Sequence, residues 1–166
     1  MTAGRALAAA ALLATTVPAG AAAAPTRSQT FFAERLLQER KVAPAVKELL
    51  RSGGGFVDRR IAFRDLTGDD RDDAVVRVNT GGADGVVAVY VLSTDVARPD
   101  GALRVVHRAQ RLRRGWARAA GGVLSVRTSR YVTGEDPCCP SETIEREYRW
   151  VPDRHRFEVI PAAPRE

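Results

Sequence analysis

The sequence predicts an α+β fold: an N-terminal segment of two short helices packed on an antiparallel meander sheet of about six or seven strands. Three observations lead there. Apolar residues between Arg27 and Gly55 recur at helical spacing. From Phe56 the period changes to two. The strand-like stretches then follow one another across short Gly-, Pro- and Asp-bearing turns, which suits sequential antiparallel pairing.

Met1–Ala23 reads as a secretory signal. Arg5 provides a positive start, "ALAAAALLATTVPAG" an apolar middle, and Ala21 and Ala23 the small residues before a cut after Ala23. That middle is too short and alanine-rich for a membrane span, and no cysteine follows for a lipid anchor. An uncleaved anchor or an internal helix is the competing reading. The expectation is an exported, secreted chain, with residues 24–54 helical, 55–161 forming the sheet of the same globular unit, and 162–166 a frayed tail.

In "RSQTFFAERLLQERKVAPAVKELLRSGGG", Phe32, Leu36 and Leu37 share a face with Phe31 beside it. Pro44 fits the first turn of a second helix carrying Val46, Leu49 and Leu50, and Gly53–Gly55 ends it. Phe56–Arg64 alternates as one strand, and Ala74–Val78 as the next. Gly81–Gly85 is a loop. Val86–Leu92 is apolar on both faces, which marks a central, covered strand. Ala102–Leu112, Gly122–Val132 and Glu142–Val151 continue the meander, and Arg156–Ile160 closes a hairpin over Pro152 and Asp153.

Removing the signal takes away one basic residue and no acidic one, leaving 25 Lys+Arg against 20 Asp+Glu, a net charge of +5. This mild excess suits either solubility or an anionic wall polymer or lipid headgroup. No other apolar run is long enough to span a membrane. A monomer is expected, with an unidentified protein or an anionic wall polymer as partner and no nucleic acid.

"DLTGDDRDD", Asp65 to Asp73, places five carboxylates among nine residues. Counting Asp65 as position one puts Asp65, Thr67, Asp69 and Asp73 at one, three, five and nine, with the Arg71 carbonyl at seven. Calcium takes six to eight oxygens from such alternating positions, and a divalent ion would relieve the crowding of like charge. The competing reading is a solvated hairpin turn whose Asp65 and Asp69 bond backbone amides. The stretch resembles the Asp-rich calcium loops of FG-GAP and VCBS repeats, written D-x-N-G-D-G-x-x-D. It departs from them at Thr67, and at Asp70, where glycine usually supplies a positive φ.

Cys138 and Cys139 are adjacent, between Pro137 and Pro140. In an oxidising compartment they suit a vicinal disulfide that stiffens its own turn and closes no long loop. Free thiols, an intermolecular bond and a redox-active pair compete. Adjacent cysteines chelate zinc poorly, and the only histidines are His107 and His155. Together, "DLTGDDRDDAVVRV", the glycine loop, "YVTGEDPCCPSE" and "REYRW" resemble a group of uncharacterised secreted proteins from actinobacteria and relatives. The resemblance spans most of the chain after the signal. It implies secretion and a shared small domain, and carries no activity with it.

Six arginines, Arg104, Arg108, Arg111, Arg113, Arg114 and Arg118, surround Trp116's segment. A strand scatters them over both faces, which favours a solvated surface over a polyanion site. Tyr131, Tyr148 and Trp150 suit either core packing or the wall of a carbohydrate or peptide site. Glu145 and Glu147 share a strand face and fit either paired acids or a wet edge. There is no G-x-S-x-G, H-E-x-x-H or phosphate-loop pattern. The expected function is a small secreted, non-catalytic domain that binds a partner at the cell surface or wall or inhibits a secreted enzyme. The alternative is a secreted hydrolase or redox protein using the acidic turn or the cysteine pair.

Overall fold

The computed structural model describes residues 24–94, 101–136 and 138–161. The signal segment 1–23, the tail 162–166, Pro99 and Pro137 lie outside them. The chain folds as α+β, two helices followed by an antiparallel sheet.

Helix α1 (Arg27–Gln38) begins at Thr26, whose hydroxyl accepts from the Gln29 amide at 3.3 Å. Gln29 Oε1 accepts the Thr26 amide in return at 2.9 Å, a reciprocal cap for two otherwise unpaired donors. Gln29 also donates to the Val57 carbonyl at 2.6 Å, tying the helix start to the sheet. Helix α2 (Pro44–Ser52) has proline in its first turn and ends at Gly53 with φ 74°. Phe32, Leu36 and Val46 are buried, whereas Phe31 is exposed.

The sheet has eight strands at seven positions: β1 (Phe56–Val57), β2 (Ala62–Arg64), β3 (Asp73–Asn79), β4 (Val86–Thr94), β5 (Leu103–Ala120), β6 (Val123–Arg130), β7 (Glu142–Val151) and β8 (Arg156–Val159). Each later strand pairs with its predecessor. The first two share one edge, because both β1 and β2 pair with β3. The single strand expected over Phe56–Arg64 is therefore broken. Asp58 breaks it: its carboxylate accepts the Arg60 amide at 2.9 Å, an Asx turn that competes with the ladder. Arg77 holds the resulting loop through the Arg60 carbonyl at 2.8 Å and Asp58 at 3.6 Å.

A second difference is larger. β5 runs through Trp116 and Arg118 to Ala120, well past the expected end at Leu112. Its first half pairs with β4, and its last five residues pair with β6. Arg111 and Arg114 between these halves take φ 61° and 47°. Such left-handed residues bend a strand. The sheet consequently folds over itself and encloses two cores. Phe32, Leu36, Val46, Val76, Tyr90 and Leu92 pack between the helices and the sheet. Val75, Val89 and Val91 pack with Leu124, Val126 and Phe157 between the two halves of the sheet, and Leu66 plugs one end. The core beneath the helices is thus one of two, and the second covers the other face of β4.

Gly115 permits the bend. A Cβ there would lie 2.7 Å from the Val86 carbonyl oxygen and 2.9 Å from Leu112 Cδ1. Gly115→Ala is expected to cost about 1–3 kcal/mol in urea unfolding, since the Val86 carbonyl of β4 cannot yield cheaply.

Candidate functional site

Where β5 leaves β4 for β6, its first half keeps β4 as its sole sheet neighbour among the described residues. The backbone on this half is met by the helical layer. Arg35 Nε donates to the Leu103 carbonyl at 2.6 Å and Lys41 Nζ to the Val105 carbonyl at 2.9 Å. Gln110 fixes the linker between the helices, accepting the Ala43 amide at 2.7 Å and donating to the Lys41 carbonyl at 3.2 Å. Arg108 donates to that same carbonyl at 3.0 Å.

A cleft of about 780 Å³ opens beside this clamp. The end of α1 and the linker contribute Arg35, Gln38, Glu39, Arg40 and Lys41. The acidic turn contributes Thr67, Gly68 and Asp69; β4 and β5 contribute Ser93, Thr94 and Arg104–Val106. Trp150, Pro152 and His155 close it from the β7–β8 turn. Arg35 is paired with Glu39 at 3.2 Å. Arg40 is exposed.

The acidic turn shapes one wall of this cleft with its own hydrogen bonds. Asp65 accepts the Gly68 amide at 2.6 Å and the Asp70 amide at 3.1 Å. Asp69 Oδ1 accepts the Arg71 amide at 3.0 Å, while Asp69 Oδ2 is buried and without a partner among the described residues. Asp73 is buried, and its Oδ2 accepts the Leu66 and Thr67 amides at 2.8 and 2.9 Å. Its other oxygen accepts the Thr67 hydroxyl at 3.4 Å. Burial pushes the Asp73 carboxyl above its ordinary value, and hydrogen bonds from Ser93, Leu66 and Thr67 pull against that shift. Asp70 does adopt a positive φ, 62°. Among the described residues, no three His, Cys, Asp or Glu side chains converge on a point that would hold an ion. Asp65, Thr67, Asp69 and Asp73 thus bond within the turn.

The cysteine pair lies away from this cleft. The sulfurs of Cys138 and Cys139 are at disulfide-bonding distance, both residues are exposed, and Arg114 donates to the Cys138 carbonyl at 3.0 Å. The arginine-rich stretch is dispersed. Arg104 lines the cleft, Arg108 reaches the helix linker, and Arg113 stacks on Tyr131 at 5.5 Å. On the outer face of β6 and β7, Arg127 pairs with Glu145 at 3.0 Å and covers Trp116 at 5.0 Å, and Ser125 bonds Glu147.

The aromatic residues divide. Tyr148 packs on His107 at 4.5 Å within the second core. Trp150 packs on Phe157 at 5.3 Å and also lines the cleft. His107 is enclosed between the sheet halves with Nε2 unpartnered among the described residues, and burial lowers its pKa to about 4. It is a core residue there and does not line the cleft. The participation of Arg35, Arg40, Lys41 and His155 carried no local signal, because the cleft joins segments from opposite ends of the chain.

No family model matches the chain, and neither a curated protein nor a solved structure does.

Two predictions concern these buried groups. Asp73→Ala strands the Leu66 and Thr67 amides and is expected to cost about 2–4 kcal/mol. Asp73→Asn retains an acceptor, and should stay within about 1 kcal/mol of wild type by urea unfolding. The same melts with calcium or a chelator are expected to coincide. His107 gives a pH signature. Its folded pKa lies below the usual 6.5, so its full stability is present above that value and lost as pH falls towards 4. Unfolding free energies should drop by about 2–3 kcal/mol more over this window in wild type than in His107→Phe.

Proposed function

We propose that the chain is an exported, non-catalytic binding module, and that the cleft beside β5 receives a partner at the cell surface or wall. The signal-like start and the resemblance to secreted actinobacterial proteins support export. The observation that carries the binding reading is the charge of the cleft. Arg35, Arg40, Lys41 and Arg104 line it against Glu39 and Asp69, so an anionic partner is favoured. An anionic wall polymer fits that charge and a mildly basic chain better than a neutral surface does.

Ser93, a hydroxyl of the cleft, bonds to Asp73, a buried carboxylate already held by the Leu66 and Thr67 amides, and this bonding suits a structural role for the pair.

Sedimentation of the purified protein with washed cell walls tests this reading. Binding is expected to weaken about tenfold in Arg40→Glu, a change at an exposed site, and to fall with added salt. Unaltered wall binding by Arg40→Glu would exclude the cleft. Mass spectrometry of culture fluid should find a chain beginning at Ala24.

A further inference from the structure

We propose that the cleft takes an acidic sugar, a hexose ring bearing a carboxylate or a phosphate; this rests on the cleft being the binding site argued above. Its walls offer two unlike surfaces. Trp150 is half-buried, held by an edge contact with Phe157 at 5.3 Å, and lines the cleft. An indole with one end apolar and one end wet suits the C–H face of a sugar ring. Opposite chemistry comes from the helix linker, where Arg40 and Lys41 offer donors to an anion. Gln38 and Thr94 also line the cleft and supply polar groups suited to ring hydroxyls.

A peptide fits less well. An extended peptide would add itself to the half of β5 that β6 leaves unpaired. The Leu103 and Val105 carbonyls there already accept from Arg35 and Lys41. A bare polyanion also fits less well, because Glu39 and Asp69 interrupt the positive lining. A mixed lining of this kind suits a ligand that carries few negative groups on a largely neutral frame.

The chain has two tryptophans, and Trp116 sits under Arg127 on the outer face of the sheet. Trp116→Phe therefore leaves Trp150 as the sole indole reporting from the cleft. Titrating this variant with a glucuronate-containing oligosaccharide, or with glucose 6-phosphate, is expected to shift its emission saturably. Adding Arg40→Glu should weaken that response about fivefold or more. The two ligands separate carboxylate from phosphate as the anionic group, and a response to either supports the inference. An equal response to the matching neutral oligosaccharide would overturn the anionic part. An equal response to inorganic phosphate or to polyglutamate would overturn the sugar. If none of these probes binds while wall sedimentation remains sensitive to Arg40→Glu, the ligand class is wrong and the binding site stands. If both fail, the cleft itself is excluded.

Discussion

Strand β4 is apolar on both faces, and this constraint organises the molecule. Ala88, Tyr90 and Leu92 point to one side, Val89 and Val91 to the other, and all five are fully buried. An antiparallel sheet commonly leaves one face in water. Here either face left open would expose a row of large side chains, at about 25 cal/mol for each Å² of apolar area. Two covering layers are needed, and the chain supplies one from each side of β4. The helices that precede it cover Tyr90 and Leu92. The strands that follow it fold back and cover Val89 and Val91.

The second layer accounts for the shape of β5. A flat continuation of the meander would carry β6 to β8 away from β4 and leave the second core open. Bending at Arg111–Gly115 returns Leu124, Val126 and Phe157 over β4. The bend also parts the first half of β5 from β6, exposing backbone that a continuous sheet would have paired. Unpaired strand edges invite association and are normally blocked. Arg35 and Lys41 provide the block with their side chains, which is why the cleft alongside is basic. The cleft is in this sense a by-product of covering β4 twice.

Local chemistry was legible from the sequence wherever neighbours decided it. Pro44 and Gly53 marked the limits of the second helix, and the unbroken apolar run of β4 announced a covered strand. The split at Asp58 was less legible, because alternation continues across it; an Asp side chain can close a turn without disturbing the pattern. The return of the sheet was not legible at all. Periodicity states that Leu124 and Val126 need cover but not whose, and the partner strand lies more than thirty residues away. The cleft inherits this difficulty. Trp150 was visible as an aromatic for core or ligand, and it packs on Phe157 while lining the cleft, whereas Arg40 is one arginine among many until the fold brings it to that same cleft.

The acidic turn shows how geometry distributes crowded charge. Five carboxylates in nine residues imply strong mutual repulsion only if all face one point. Asp70 and Asp72 are instead exposed, where water screens them. Asp65 and Asp73 each collect two backbone amides that the tight turn leaves without strand partners. A carboxylate suits this work because its two oxygens accept from several directions at once. Burial makes the charged form of Asp73 costly, yet the two amides it satisfies would be costlier left alone. The turn therefore holds its shape from within and presents Asp69 to the cleft at a fixed place. Asp69 lines the same cleft as Arg40 and Lys41 of the helix linker. A polar wall built in advance loses little freedom when a ligand arrives, which is the advantage the proposed binding reading would draw from it.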